Sequence, residues 1–469
     1  MLTRNNQFTF LKRELGVSLL KLYKKGTLED EINALPVKLY PRTKEQIRCC
    51  VHKDRAMTRS RLIALMGFDP QKDDEITTLS AYAHKASESK GQNQPILSTI
   101  PLGCSSCSSN HYEVTNLCKG CVARPCVTNC PKNAVRLEKG RAIIDAELCI
   151  NCGKCQQLCP FGAINYVSVP CEEACPVGAI TKNEFGEAVI IEEKCIECGA
   201  CSRACPFGAI TECSQIIETA GKLTSTSHVT AIIAPAIEGQ FPGSLSQIIT
   251  ALYALGFDDV IEAAEGALTT AEKETKEIKE LEKGSFLTSS CCPAYTACVD
   301  KHIPSIKGNV SHTKSPLSYA AQRAKSKNPE TFTIFIGPCI AKKREGKNDP
   351  FVDAVITFEE LAAFFIAWDV DVHEQPETEQ IHALSVRQFA VSGGVTNSLD
   401  AMLTEEEKVT TMQINGLNKK SLALMKTWSK RAPSAQFIEV MCCEEGCIGG
   451  PACISDPRLV KKKASYITS

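Results

Sequence analysis

The chain has 469 residues, enough for two or three domains with a buried core of ordinary size. Its 53 Lys and Arg nearly balance 54 Asp and Glu, a composition with no sign of nucleic-acid binding. The outlier is cysteine, with 27 residues, yet disulfide scaffolds of that density are short and secreted. The opening MLTRNNQFTFLKRELG has no apolar leader, and no apolar run reaches membrane-spanning length. A reduced, cytoplasmic protein with no membrane attachment is therefore expected, and tight CxxC spacings favour metal ligation.

Taken in chain order, residues 1–95 read as a mostly helical region of unassigned role, with an amphipathic stretch from Arg59 to Met66. Cys49 and Cys50 are adjacent there; neighbouring thiols seldom serve one cluster, so they read as buried or incidental. The polar KASESKGQNQP near 85–95 reads as a linker, and SQIIETAGKLTSTSH at 214–228 as a second connection. Between them, residues 100–213 form a cysteine-dense, repetitive domain. From 229 to 469 the runs VTAIIAPAI, FTIFIGPCI and FAVSGGV stop at Pro or Gly, as buried strands do. Helical stretches at 243–255 and 269–283 alternate with them. The expected whole is a multidomain α+β and α/β chain: a helical N-terminal region, ferredoxin-like modules and an α/β domain.

In the middle domain, CINCGKCQQLCP supplies Cys149, Cys152, Cys155 and Cys159, and CIECGACSRACP supplies Cys195, Cys198, Cys201 and Cys205. Both resemble the bacterial ferredoxin motif, in which three thiolates hold one 4Fe–4S cluster and the fourth, before proline, reaches the neighbouring one. CKGCVARPCVTNCP adds Cys118, Cys121, Cys126 and Cys130, and the half motif CEEACPVGAI adds Cys171 and Cys175. Zinc ribbons would show isolated CxxC pairs instead. The crossover rule then pairs Cys118, Cys121, Cys126 with Cys159, and Cys149, Cys152, Cys155 with Cys130. It pairs Cys195, Cys198, Cys201 with Cys175, leaving Cys171 and Cys205 two thiolates short. The CxxC of GCSSCSS, Cys104 and Cys107, completes a fourth accessory cluster; the alternative is that these two are linker thiols. Clusters in series carry single electrons to a buried site, so the C-terminal half should use them.

Three motifs there fit no ferredoxin spacing: SSCCPAY with Cys291 and Cys292, GPCIAKK with Cys339 and Lys342, and EVMCCEEGCIGGP with Cys443 and Cys447. Four thiolates from three distant loops can hold a cubane, and the paired Gly449 and Gly450 let backbone approach a bulky cofactor. In order and content these motifs resemble the three signatures of the iron-only hydrogenases over roughly 229–469. The resemblance implies an H-cluster: a cubane on Cys292, Cys339, Cys443 and Cys447, bridged by Cys447 to a two-iron subsite bearing carbon monoxide, cyanide and a dithiolate. With four accessory clusters the loaded protein would be roughly ten charge units more acidic than its sequence. Lys342 would donate to a cyanide, Ala234, Pro235 and Ala236 would line the subsite, Met441 would shield it, and Cys291 would pass protons.

The same resemblance puts Glu272 and Ser311 on the proton path, with Thr275 at a second glutamate position and Glu274 and Glu277 nearby. AEKETKEIKELEK reads equally well as a solvated helical face. Departures from the family are Gly337 where methionine is common, Tyr295 for tryptophan, and a third motif one residue shorter. Implied partners are ferredoxin or a similar one-electron carrier, H2 and protons, and hydrogenase maturation proteins. The competing reading is a hydrogenase-like sensory or iron–sulfur assembly protein without the two-iron subsite.

Overall fold

The computed structural model describes residues 6–88, 94–104, 107–282, 284–377 and 385–464. Helix Gln7–Lys24 begins at an Asn6–Thr9 capping box and ends on Lys21 and Lys24, which complement its dipole. Leu15, Gly16, Leu19 and Leu20 make its buried face. That face packs on helix Phe358–Trp368, and a Cβ at Gly16 would sit 3.1 Å from the Ala363 methyl. One apolar core consequently runs from the N-terminal helices into the C-terminal sheet.

Helix Val51–Leu65 contains the Arg59–Met66 stretch, but it is not amphipathic: Arg61 through Leu65 are all buried. The cause is packing on two sides, against helix Gln7–Lys24 and against Pro101–Cys104 and Ile210–Glu212 of the cysteine-rich region. Cys50 is half-buried and Cys49 exposed; the Cys50 sulfur caps this helix, accepting from Lys53 N at 3.4 Å. The expected linker at 85–95 is helical up to Glu88, its residues 89–93 lying outside the described ones. The expected connection at 214–228 is mostly helix Ile216–Leu223, since Ile216, Ile217, Thr219 and Ala220 form a buried face.

The cysteine-rich region is built from two-stranded antiparallel pairs, His111–Val114 with Ile164–Val167, Val135–Glu138 with Arg141–Ile144, Ile180–Lys182 with Ala188–Ile190, and Leu97–Thr99 with Ile210–Glu212. In the C-terminal domain a parallel sheet has the order Asp259–Glu262, Val229–Ile233, Phe332–Gly337, Ala354–Thr357. A second parallel sheet orders Leu287–Thr288, Phe437–Met441 and Thr411–Asn415. Val229–Ile233, Phe332–Gly337 and Ala354–Thr357 are buried along nearly their whole length, which is why they read as continuous apolar runs, whereas Asp259–Glu262 and Thr411–Asn415 are only partly buried. The 243–255 helix is Leu245–Leu255, and the charged helix is Ala263–Lys279.

FAVSGGV is not a strand. Residues Ser385–Ala390 form a 3₁₀ turn and Gly394–Asp400 a helix. The buried Glu439 carboxylate takes the N–H groups of Gly393 and Thr396 at 2.7 and 3.0 Å, and a Cβ on Gly394 would meet Gln388 O at 1.7 Å. A short apolar run fits a buried helical turn as well as a strand. Among the described residues no helix is long and apolar enough to cross a membrane.

Candidate active site and electron relay

The loops leaving the carboxyl ends of the parallel strands converge, as open α/β sheets arrange their sites. Ala234–Ala236 follow Val229–Ile233, Cys291 and Cys292 follow Leu287–Thr288, Cys339 follows Phe332–Gly337, and Cys443 and Cys447 follow Phe437–Met441. All of them, with Lys342 and Met441, line one cavity of about 90 Å³. Cys292 precedes Pro293 at the start of helix Pro293–His302, where the missing N–H costs nothing. The glycine pair brings the loops together, since a Cβ on Gly450 would lie 2.6 Å from Pro338 O.

Burial, then repulsion from Cys292 and Cys443, pushes the Cys447 thiol up to about 12. Burial likewise lifts Cys339 and Cys291 well above their ordinary range. Such neighbours ionise together only when positive charge is placed among them. An apolar wall carrying four thiols is a donor set for iron and sulfide. Among the described residues no trio of Cys, His, Asp or Glu closes to single-ion spacing. Lys342 stands at the edge: burial opposes its charge, yet the Glu345 carboxylate at 2.7 Å outweighs it and raises its pKa. Its ammonium also donates to Ser315 Oγ at 3.0 Å and Cys291 O at 3.5 Å.

The buried carboxyl beside Cys291 is Glu274. Glu272 is exposed on the outer face of its helix, whereas Glu274 is fully buried. Glu274 Oε1 accepts from Ser290 N at 3.1 Å and Ser290 Oγ at 3.4 Å, and Ser311 lies close to the carboxyl. Burial is the main cause of a carboxyl pKa near 8, with the Ser290 bonds opposing it and Glu277 adding to it. Its Oε2 has no partner among the described residues. Glu277 continues outward, accepting from Thr313 Oγ1 at 3.2 Å and His312 N at 3.3 Å. Thr275 instead turns to Met402. The periodicity held this signal: Ala267, Thr270, Ala271, Glu274 and Ile278 fall on one buried face.

The accessory thiols gather in four groups. Cys126 lies in the field of Cys121 and Cys159, and Cys118 packs in the side-chain cluster that also holds Cys126, Cys159, Cys130 and Cys155. Cys130, Cys149, Cys152 and Cys155 line a second, small cavity. Cys201 feels Cys198, Cys195 and Cys175. Cys171, pushed to about 12 by burial, feels Cys205, Cys104 and Cys107. In each CPxxA turn the alanine N–H donates to the cysteine sulfur: Ala134 to Cys130 at 3.2 Å, Ala163 to Cys159 at 3.4 Å, Ala179 to Cys175 at 3.2 Å, Ala209 to Cys205 at 3.4 Å. Cys198 also lines the main cavity, against Cys442, a cysteine that motif spacing had not singled out. A Cβ on Gly199 would lie 2.7 Å from Ile340 and 3.0 Å from Pro451, so this accessory loop touches the second and third motifs directly.

Residues 227–451 match the family described as iron only hydrogenase large subunit, C-terminal domain. Residues 142–165 and 188–211 each match the 4Fe-4S binding domain. Iron hydrogenase 1 of Clostridium pasteurianum is 27% identical over 257 residues, 44% of this chain and 44% of that one. NADP-reducing hydrogenase subunit HndD of Solidesulfovibrio fructosivorans is 25% identical over 385 residues, 68% of this chain and 59% of its own length. A solved FeFe-hydrogenase structure aligns with a TM-score of 0.45 at 21% identity, over 54% of this chain and 88% of that chain. The chain spans about half the length of these two curated relatives. The chain thus joins a region that matches the C-terminal domain of the iron only hydrogenase large subunit to two segments that match the 4Fe-4S binding domain.

Proposed function

We propose that the protein interconverts protons and molecular hydrogen, 2 H+ + 2 reduced carrier = H2 + 2 oxidised carrier, the carrier being ferredoxin or a similar one-electron donor. The observation that carries this reading is convergence: Cys292, Cys339, Cys443 and Cys447 share one cavity with Lys342 and Cys291, and Cys198 of the accessory region stands on its wall. An H-cluster held there would supply the redox chemistry of making and breaking the H–H bond.

The chain's own residues do the rest. The four cysteines would hold the cubane of the H-cluster, and maturation proteins would install its two-iron subsite. The Lys342 ammonium would orient that subsite by a charge-assisted bond. Ala234, Pro235, Ala236 and Met441 keep water from it. Cys291 exchanges a proton with Glu274, and Ser311 and Glu277 pass it towards solvent. A carboxyl near pKa 8 can both give and take a proton near neutral pH.

Electrons enter at the outer accessory sites. Asn151 bonds Asn110 O at 3.1 Å, and Asn110 bonds Glu172 at 2.9 Å, beside Cys171. This suits a relay running from the Cys118–Cys159 and Cys130–Cys155 pair, through Cys104, Cys107, Cys171 and Cys205, to Cys175, Cys195, Cys198 and Cys201. The test is infrared spectroscopy of the matured full-length protein together with hydrogen evolution from reduced carrier. Carbon monoxide and cyanide bands with turnover are expected. A fully iron-loaded protein with neither band would overturn the hydrogenase reading in favour of a sensory or assembly role.

A further inference from the structure

The N-terminal helical region has no part in the chemistry above, yet it presses a buried cation against the accessory relay. Helix Val51–Leu65 packs on Pro101–Cys104 and on Ile210–Glu212, the elements flanking Cys104 and Cys205. From this helix Arg61, only 6% exposed, donates to Gly208 O at 3.2 Å and Phe207 O at 3.5 Å. Those carbonyls belong to the turn whose Ala209 N–H bonds the Cys205 sulfur. The Phe8 ring covers the guanidinium at 4.9 Å. Contact is tight enough that a Cβ on Gly208 would lie 2.3 Å from Phe8 and 2.6 Å from Arg61 Nη2.

Arg48 reaches the same Phe207 carbonyl at 3.3 Å, but its charge is matched by Asp54 at 3.2 Å. Arg61 has no such match. Among the described residues no carboxylate lies within ion-pair distance of it, and its Nε is buried without a partner. Burial, then repulsion from Arg48, lowers its pKa to about 10, so it stays charged at neutral pH, with Tyr40, Cys205 and the more distant Asp54 favouring its charge. A dry, unmatched guanidinium is costly unless negative charge sits nearby. A 4Fe–4S cluster with four thiolates carries about two negative charges, and one more when reduced.

We propose that Arg61 is a positioning residue that raises the reduction potential of the cluster held by Cys104, Cys107, Cys171 and Cys205, making the N-terminal region the electrostatic cap of that site. The proposal rests on reading those four cysteines as an accessory cluster. A buried cation stabilises the reduced cluster more than the oxidised one, because the reduced state bears the extra charge.

The experiment is a potentiometric titration of the full-length, iron-loaded protein followed by electron paramagnetic resonance, with iron counted for each variant. Arg61→Gln is expected to move one accessory signal to lower potential by about a tenfold change in its reduced-to-oxidised ratio, about 59 mV for one electron. The other signals should stay in place, and Arg61→Lys should restore the shifted one. Arg48→Gln, at a more exposed site on the same carbonyl, should lower the same signal by a smaller step, which keeps the test open if Arg61→Gln loads poorly. Unmoved potentials in iron-replete Arg61→Gln and Arg48→Gln would overturn the proposal while leaving the cluster in place. An unchanged iron count in a Cys104→Ala, Cys107→Ala protein would remove the cluster, and the proposal with it.

Discussion

Cys291 and Cys292 are neighbours in sequence but differ in what they can do. If Cys292 is bound to iron and Cys291 remains free beside Glu274, then Cys291→Ala should keep iron and the infrared signature near wild type. Hydrogen turnover should fall by orders of magnitude, as assayed by gas chromatography with excess reduced carrier. The two glutamates separate in the same way. Glu274→Gln should lower turnover about 10²-fold or more, the usual scale for a lost proton-transfer group, whereas exposed Glu272→Gln should leave it unchanged. The pH dependence of stability has a definite sign. Glu274 ionises at an ordinary 4.5 when unfolded and near 8 when folded. Over that window the folded chain holds the extra proton, so its stability falls as pH rises, by at most about 1.4 kcal/mol per pH unit from this group. Glu274→Gln should therefore gain stability relative to wild type between about pH 5 and about pH 8. Anoxic thermal unfolding at both values checks it.

Helix Ala263–Lys279, which carries Glu274, is held against helix Pro316–Lys327 at Gly266. A Cβ there would lie 2.0 Å from Pro316 O and 2.8 Å from Ala320 N. Alanine is intrinsically the better helix former by about 1 kcal/mol, but backbone cannot yield as a side chain does. Gly266→Ala should be net destabilising, by about 1–3 kcal/mol, and a rise in thermal midpoint would contradict this. A second element-scale test is the buried pair Lys343–Glu360, 3.1 Å apart, which ties helix Ala341–Asn348 to Phe358–Trp368. Thr357 N and Ser214 also bond this carboxylate. Lys343→Met alone leaves Glu360 without its ion-pair partner in a dry site, with only the more distant Lys12 acting on it, and should cost about 3 kcal/mol. Adding Glu360→Gln should recover part of that loss, as measured by denaturant unfolding.

Along the whole chain, side-chain charge is uneven although the sequence total is only -1. Between 115 and 160 lie seven basic residues and only three acidic, with Lys119, Arg124 and Lys154 exposed beside exposed Leu117, Val122, Ile150 and Phe161. Turnover driven by an acidic protein carrier should fall with rising salt, and Lys119→Glu with Lys154→Glu should weaken that dependence. A small neutral reductant should show no such change. Equal salt curves for wild type and variant would place electron entry elsewhere. The sequence alone determined the local ligand patterns of this protein: the CxxC and CPxxA spacings, the three hydrogenase-like motifs and their order. It could do so because the spacing of ligands within one loop is a property of the local chain, and the resemblance added the distant loops. Tertiary structure alone decided that Glu274 and not Glu272 faces Cys291, that FAVSGGV coils around the Glu439 carboxylate, and that Arg61 from the N-terminal helices meets the Cys205 turn. Each of these depends on which surfaces pack together. Burial is set between segments far apart in the chain, and no local pattern carries it.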